Sequence, residues 1–422
     1  MFLVVCSLSS GDKSVSALPF WISEQRWLAL WAAMLGYMLD ALDVLLYVFA
    51  VQTMREQFGW SAARAGLVSS ATLVTSAVGG ILAGIVADRS GRTRTLIYTI
   101  LLYSFGSAGS ATSTGLATLL AWRAVVGLGL GGAWSAGAVL VAESWPPQHR
   151  AKAIGVMQSG WALGYMLAAV VTALILPHYG WRVLFLVGIL PALLTVWIQR
   201  QVKEPAIWSK RTSAIPIWSL FRPPLGRRTF FATALATSVL FAYWGVNTWL
   251  PGFLSAPQSQ GGAGLNILRT SAWIFTMQIG AFLGYVSFGW MADRFGRRPA
   301  FFGYVLAAAI LTPIYGLTPR WAGASSETWL LVLGPFIGFC GTGFFALFGA
   351  MLAELYPTSI RGTAQGFVYN VGRAASALAP FAVGAVADRK GIGAALALNS
   401  AFFLIGSALI FTLPETRNTE LT

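Results

Sequence analysis

Long, unbroken apolar runs constrain this chain more than any other feature. Windows 65–87, 95–122, 124–142, 153–181, 183–199, 229–268, 270–292, 299–319, 328–353 and 391–414 contain no Asp, Glu, Lys or Arg. A helix needs roughly 20 apolar residues to cross the hydrocarbon of a bilayer. The window 95–122 is interrupted by the polar turn Ala111 to Gly115, so its first part is a third span and the remainder joins 124–142 as a fourth. Stretches 27–54 and 362–387 complete a set of twelve; the first carries Asp40 and Asp43, the second Arg373. The expected fold is an all-α polytopic membrane protein, because lipid requires each segment to pair its own backbone. A β-barrel would alternate polar and apolar residues in short strands.

Composition excludes the other classes. With 56% hydrophobic and 10% charged residues, the chain cannot coat several water-facing domains, nor remain disordered. Two cysteines, Cys6 and Cys340, make no disulfide scaffold, and two histidines, His149 and His178, make no metal cluster. The net charge of +14 would suggest nucleic acid in a soluble protein. These basic residues fall between apolar runs, as the loops of a membrane protein require, so no nucleic acid is expected.

Loop charge sets the orientation. Placing both termini inside puts 17 of the 28 basic residues in the inner loops and tail and seven in the outer loops. Both termini are therefore expected in the cytoplasm. The expected organisation is a leader (1–26, cytoplasmic), a six-helix bundle (27–201), a cytoplasmic linker (202–228), a second six-helix bundle (229–413) and a cytoplasmic tail (414–422). The apolar start of the leader is too short for a signal-peptide core and lacks a basic region before it.

The two halves repeat the same phrases. Asp88, Arg89, Gly91 and Arg92 follow the second span; Asp293, Arg294, Gly296, Arg297 and Arg298 follow the eighth. Glu143, Pro146 and Arg150 after the fourth span return as Glu354, Pro357 and Arg361 after the tenth. Glu204-Pro205 and Pro414-Glu415 close the sixth and twelfth. With its G-x-x-x-D-R-x-G-R phrase stated twice, the sequence resembles the major facilitator superfamily of secondary transporters from about residue 27 to 416. The resemblance implies two pseudo-symmetric six-helix bundles that rock about a central cavity. It also implies a breakable cytoplasmic gate formed by Asp88, Arg89, Arg92, Glu143, Arg150, Asp293, Arg294, Arg297, Glu354 and Arg361. If these charges are exposed, each pair contributes only about 0–1 kcal/mol and several together bias a state without locking it.

Four ionisable residues lie within spans: Asp40, Asp43, Arg123 and Arg373. Each costs roughly 2.5–3.5 kcal/mol or more at mid-bilayer, so each marks a functional site. Asp40 and Asp43, three apart, share a helical face. Their mutual repulsion makes one of them a candidate proton carrier. Arg123 opens a glycine-rich stretch (Gly127, Gly129, Gly131, Gly132) that admits a close helix, across which the arginine can reach a first-span carboxylate. In the proton-coupled sugar branch a first-span aspartate pairs with a fourth-span arginine; by resemblance Asp43 and Arg123 take those places, and protonating Asp43 would free Arg123.

Arg373 has no carboxylate in the spans of its own half, and its guanidinium fork suits a substrate carboxylate. The competing reading is that it reaches Asp40 or Asp43 across the cavity. Asn370, Tyr369, Asn247, Gln158, Gln278 and Trp161 are further candidate substrate contacts; packing or interhelical bonds are the alternative for each.

Asp40-Ala-Leu-Asp43 and Tyr369-Asn370-Val-Gly372-Arg373 resemble the superfamily's organic-acid:proton symporters, the sialate, lactate or pyruvate, and aromatic-acid branches. Ala41 stands where the aromatic-acid branch usually has glycine, which tilts the expectation towards a monocarboxylate or sialate-like acid. Alternatives are uptake of an aromatic acid or niacin, efflux by proton antiport, and a sensor without flux. No phosphate-binding loop or nucleophile–histidine–acid set points to an enzyme. The expected partners are a small organic anion, a proton as coupling ion with no other cofactor, and the bilayer of a bacterial inner membrane; a monomer is expected.

Overall fold

The computed structural model describes residues 20–60, 62–209, 216–417 and 419. They are helical throughout, with no strand among them. In the first half the helices are α1 (Phe20–Phe58), α2 (Ala62–Ser90), α3 (Arg92–Ser110), α4 (Leu116–Ser144), α5 (Arg150–Val187) and α6 (Pro191–Gln201). In the second half they are α7 (Leu225–Ser255), α8 (Ile267–Phe295), α9 (Arg297–Gly316), α10 (Ser326–Gly343), α11 (Ala346–Leu355), α12 (Arg361–Ser376), α13 (Ala379–Lys390), α14 (Ile392–Leu398) and α15 (Ser400–Leu409).

These helices make twelve crossings. Gly180 breaks α5 with φ 74° and ψ 176°, a conformation that only glycine adopts without strain. The fifth span thus ends there, and the sixth runs on through α6. The pairs α10–α11, α12–α13 and α14–α15 each form one bent span. Among the described residues, ten helical stretches are long and apolar enough to cross a membrane by length and composition. The other two crossings are α3 and α12–α13. The latter is polar because α12 is enclosed: Arg361, Gln365, Asn370 and Arg373 are all buried. The first helix begins at Phe20, so the final residues of the stretch read as a leader are helical; residues 1–19 lie outside the described part.

The glycines of the stretch after Arg123 (Gly127, Gly129, Gly131, Gly132) admit close neighbours, but not α1. A Cβ at Gly127 or Gly131 would strike the backbone of α2, and one at Gly129 the backbone of α3. Gly127 and Gly131 are four positions apart and share one face, while Gly129 points elsewhere. The two bundles meet along α2 against α12 and α5 against α8. Small residues bring these backbones together: Gly84 lies on the Gly362 carbonyl, and Gly155 on that of Tyr285.

Candidate functional site

Two sites emerge, a charged closure at one end and an aromatic cavity in the middle. The closure lies where the two repeated Asp-Arg-x-Gly-Arg phrases turn between helices. Asp88, at the end of α2, reaches the N-terminus of α12. Its carboxylate accepts from Gly362 N (3.0 Å), Thr363 N (2.7 Å) and Thr363 Oγ1 (2.7 Å). A helix N-terminus offers free N–H groups to such an anion. Glu143 sits between Arg92 of its own bundle (Nε to Oε2, 2.9 Å) and Arg361 of the other (Nη1 to Oε1, 2.6 Å). Arg361 also donates to the Ala353 carbonyl (2.8 Å), and Arg92 to that of Thr358 across the interface (3.2 Å).

The second repeat builds the mirror arrangement. Asp293 accepts from Lys152 N at the start of α5 (3.1 Å) and pairs with Arg297 (2.7 Å). Glu354 lies between Arg297 (2.9 Å) and Arg150 of the other bundle (2.9 Å). Sequence reasoning missed two carboxylates. Glu204 accepts from the backbone N–H groups of Arg92 (2.7 Å), Thr93 and Arg94, capping α3. Glu415 does the same for Arg297 (2.8 Å) and Arg298, capping α9. The repeated glutamate–proline phrase was the signal for both. The tail joins in: Thr416 Oγ1 donates to Glu354 (2.6 Å), and Arg150 donates to the Thr419 carbonyl (3.2 Å).

Of the expected gate residues, Arg89 and Arg294 are exposed, and the Arg294 guanidinium lies over Trp290, 5.2 Å from its ring centre. The energetic expectation for the rest also changes. The ion-paired side chains are at most 4% exposed. They belong to the regime of buried ion pairs, where removing one partner costs about 3–5 kcal/mol.

In the middle of the first bundle, Arg123 Nη1 pairs with Asp43 Oδ2 at 3.2 Å, both buried. The guanidinium also lies over Tyr47 (5.5 Å) and Phe185 (5.9 Å), contacts that favour a desolvated cation. Gly188 leaves room beside the pair; a Cβ there would meet Ser107 and Asp43 Oδ1. Asp40, one turn earlier on α1, is 1% exposed, and its Oδ1 has no hydrogen-bond partner among the described residues.

The central cavity lies between the bundles. It is lined by Tyr37, Trp134, Trp161, Tyr243, Trp244, Tyr285, Phe345, Tyr369 and Arg373. Arg373 is the single charged group of the wall and makes no ion pair among the described residues. Tyr369 stacks on Trp134 (centroids 3.8 Å, interplanar 23°) one turn from Arg373, on the side of Thr363. That stack is a floor between the cavity and the charged closure. Tyr37, Tyr243, Trp244, Tyr285 and Phe345 were not foreseen as lining. For Tyr37 the signal was its place one turn before Asp40.

Arg373, Tyr369 and Trp161 thus meet at one cavity, whereas the remaining candidates do not. Gln158 is buried behind the wall, accepting from Trp134 Nε1 (2.7 Å) and donating to the Phe345 carbonyl (3.3 Å). Asn370 is buried against Gly80 and donates to the Gly366 carbonyl (2.9 Å) and Ser135 Oγ (3.4 Å). Asn247 and Gln278 line a separate, uncharged cavity with Thr312 and Thr342, enclosed by α7, α8, α9, α10 and α15 of the second bundle. Their helices contribute to the central site, but Asn247 sits one turn and Gln278 two turns beyond it, inside their own bundle.

Comparison with known proteins agrees with this architecture. The Major Facilitator Superfamily model matches residues 33–268 and 262–422. The cis,cis-muconate transport protein of Acinetobacter baylyi is 32% identical over 398 residues, covering 91% of this chain and 94% of that one. The sialic acid transporter NanX of Escherichia coli is 28% identical over 388 residues, covering 91% and 92%. Among solved structures, the proton:xylose symporter XylE superposes with a TM-score of 0.78 at 18% identity, over 94% of this chain and 98% of that one. The human organic anion transporter MFSD10 gives 0.72 at 19%, over 91% and 99%. With twelve crossings in two bundles and a closure built from both repeats, the chain belongs to the Major Facilitator Superfamily, as a multi-pass membrane transporter and not an enzyme.

Proposed function

We propose that this protein carries a small organic acid across the inner membrane by proton symport and alternating access, with the charged closure on the cytoplasmic side. The observation that carries this reading is Arg373. A buried guanidinium without an acidic partner, set in an otherwise uncharged cavity between two bundles, calls for an anion. The first-span carboxylates, Asp40 and Asp43, supply the proton site, so that anion and proton enter together. No cofactor besides the proton is required. The names of the relatives support an acid as cargo: muconate, sialic acid and, in a third relative at 28% identity, niacin. The loop bias of Lys and Arg supports the orientation.

The cavity wall favours one class of acid. Eight aromatic side chains surround one cation, so ring faces make up most of the wall. Flat conjugated acids, which stack on such faces, fit it better than a sialate, against the tilt suggested by Ala41. Purified protein in liposomes, given an inward proton gradient, tests this with labelled benzoate, nicotinate, cis,cis-muconate, lactate and sialate. Gradient-driven accumulation of a planar acid is the expected result. Accumulation of sialate alone would refute the class, and substrate-driven proton movement in the opposite direction would show antiport.

A further inference from the structure

Two opposite charges at the centre of this molecule are left over once its ion pairs are counted. Of the two first-span carboxylates, Asp43 is held by Arg123 at 3.2 Å. Asp40 pairs with no cation among the described residues, and the Oδ1 of either aspartate accepts no hydrogen bond there, so the missing cation is what sets Asp40 apart. Of the two mid-span arginines, Arg123 is taken and Arg373 is not. Asp40 lies one turn from Tyr37 on α1, and Tyr37 shares the wall of the central cavity with Arg373. The other titratable groups around Asp40 are Asp43 and Tyr37 on its own helix, Tyr103 on α3 and Tyr369 on α12. The charge of Arg123 on α4 is balanced by Asp43.

We propose that Asp40, and not Asp43, binds the transported proton, in exchange for the balance that its charge gives to Arg373, so that one proton travels with each monocarboxylate. The inference rests on the organic-acid reading above and assigns the coupling within it. The charge count makes the case. In the empty site Asp40 and Arg373 sum to zero. A substrate carboxylate on Arg373 leaves Asp40 as an uncompensated buried anion, which is costly in a dry interior. A proton taken from water onto an Asp40 carboxyl oxygen returns the loaded site to neutrality, and the same proton leaves with the acid on the other side. Asp43 and Arg123 remain a neutral pair throughout and hold α1 to α4.

The test uses the full-length protein in liposomes, with the monocarboxylate of the five-member screen that accumulates best. Binding is read from quenching of the cavity tryptophans Trp134, Trp161 and Trp244, and accumulation from the label. In the wild type, affinity falls as pH rises, approaching tenfold per pH unit once Asp40 must be protonated to bind. Asp40→Asn should bind with an affinity that no longer follows pH and should lose accumulation driven by a proton gradient; Asp40→Glu should restore the slope. Asp43→Asn, though impaired, should keep it. A pH slope that survives in Asp40→Asn, or vanishes in Asp43→Asn alone, overturns the assignment. If Asp40→Asn does not fold, the pH slope of Asp43→Asn still decides the site, and the wild type decides the count. One proton per monocarboxylate is electroneutral, so accumulation should ignore a potassium-diffusion potential, and potential-driven accumulation refutes the count. Failure of all five acids to bind the wild type would instead sink the organic-acid reading itself.

Discussion

Asp88→Asn is the sharpest probe of the charged closure. The wild-type carboxylate spans the bundle interface with bonds from two backbone N–H groups and one hydroxyl, at 2.7–3.0 Å, and also pairs with Arg92 at 3.1 Å. Asparagine keeps one carbonyl oxygen. Its amide group must face the N–H of Gly362 or Thr363, donor against donor, and the pairing with Arg92 is lost. Hydrogen bonds to charged groups contribute about 1.5–3 kcal/mol each, so losing one and weakening the others removes on the order of 3 kcal/mol from the closed state. That is roughly a hundredfold in the closed-to-open ratio, at about 1.4 kcal/mol per factor of ten. A closed state favoured about a hundredfold becomes evenly populated. Spin labels at exposed Arg94 and Arg294, in a background lacking Cys6 and Cys340, report the distance across this end by pulsed electron resonance. The wild type should give one short distance, and the variant a second, longer one. An unchanged distribution in a folded variant would show that Asp88 does not hold the bundles together.

Three further outcomes follow from the geometry. Arg373→Lys replaces the planar fork with a point charge; acid binding, read by tryptophan quenching, should weaken at least tenfold, and an unaltered affinity would remove Arg373 from the site. Gly84→Val puts side-chain atoms onto the Gly362 carbonyl and the Thr363 backbone, so the same spin labels should show that end wedged open. Glu354→Gln strips the shared carboxylate from Arg150 and Arg297. Arg150 then has no acidic partner and Arg297 keeps only Asp293, and the loss of about 3–5 kcal/mol should appear as a clearly lower Tm in detergent.

The sequence carried the helices and the repeat because both are one-dimensional signals. Apolar length gives a span, and a phrase stated twice gives a duplication. Even the exceptions obey simple chemistry: the enclosed α12 is too polar to pass as a span by hydropathy, and Gly180 ends a helix by its positive φ. What stayed hidden is the rotation of each helix about its axis and the identity of its neighbour. Asn247 and Gln278 lie on helices that line the central cavity, yet point into a different one. Asn370 is three residues from Arg373 but is buried against Gly80. The α4 glycines signalled a close helix without saying that it was α2 or α3. Depth was equally illegible. Lys and Arg at helix starts read as exposed loop charges, while Arg92, Arg297 and Arg361 are fully buried.

That burial bears on how a transporter can be both closed and mobile. A closure made of apolar contacts would resist opening in proportion to its area, since separation exposes that surface to water. Buried ion pairs behave differently. Their Coulomb attraction is largely offset by the water each charge gave up, so the intact network adds little net stability while tolerating no single missing partner. When the bundles part, Glu143, Glu354 and their arginines regain hydration, which offsets the bonds broken. The network therefore fixes the register of α2 on α12 and α5 on α8 without making that state a trap. The same accounting applies at the centre. A loaded site that is neutral can be sealed by the Trp134–Tyr369 floor and the closure beneath it, whereas an unprotonated Asp40 beside a bound anion would hold the cavity open to water.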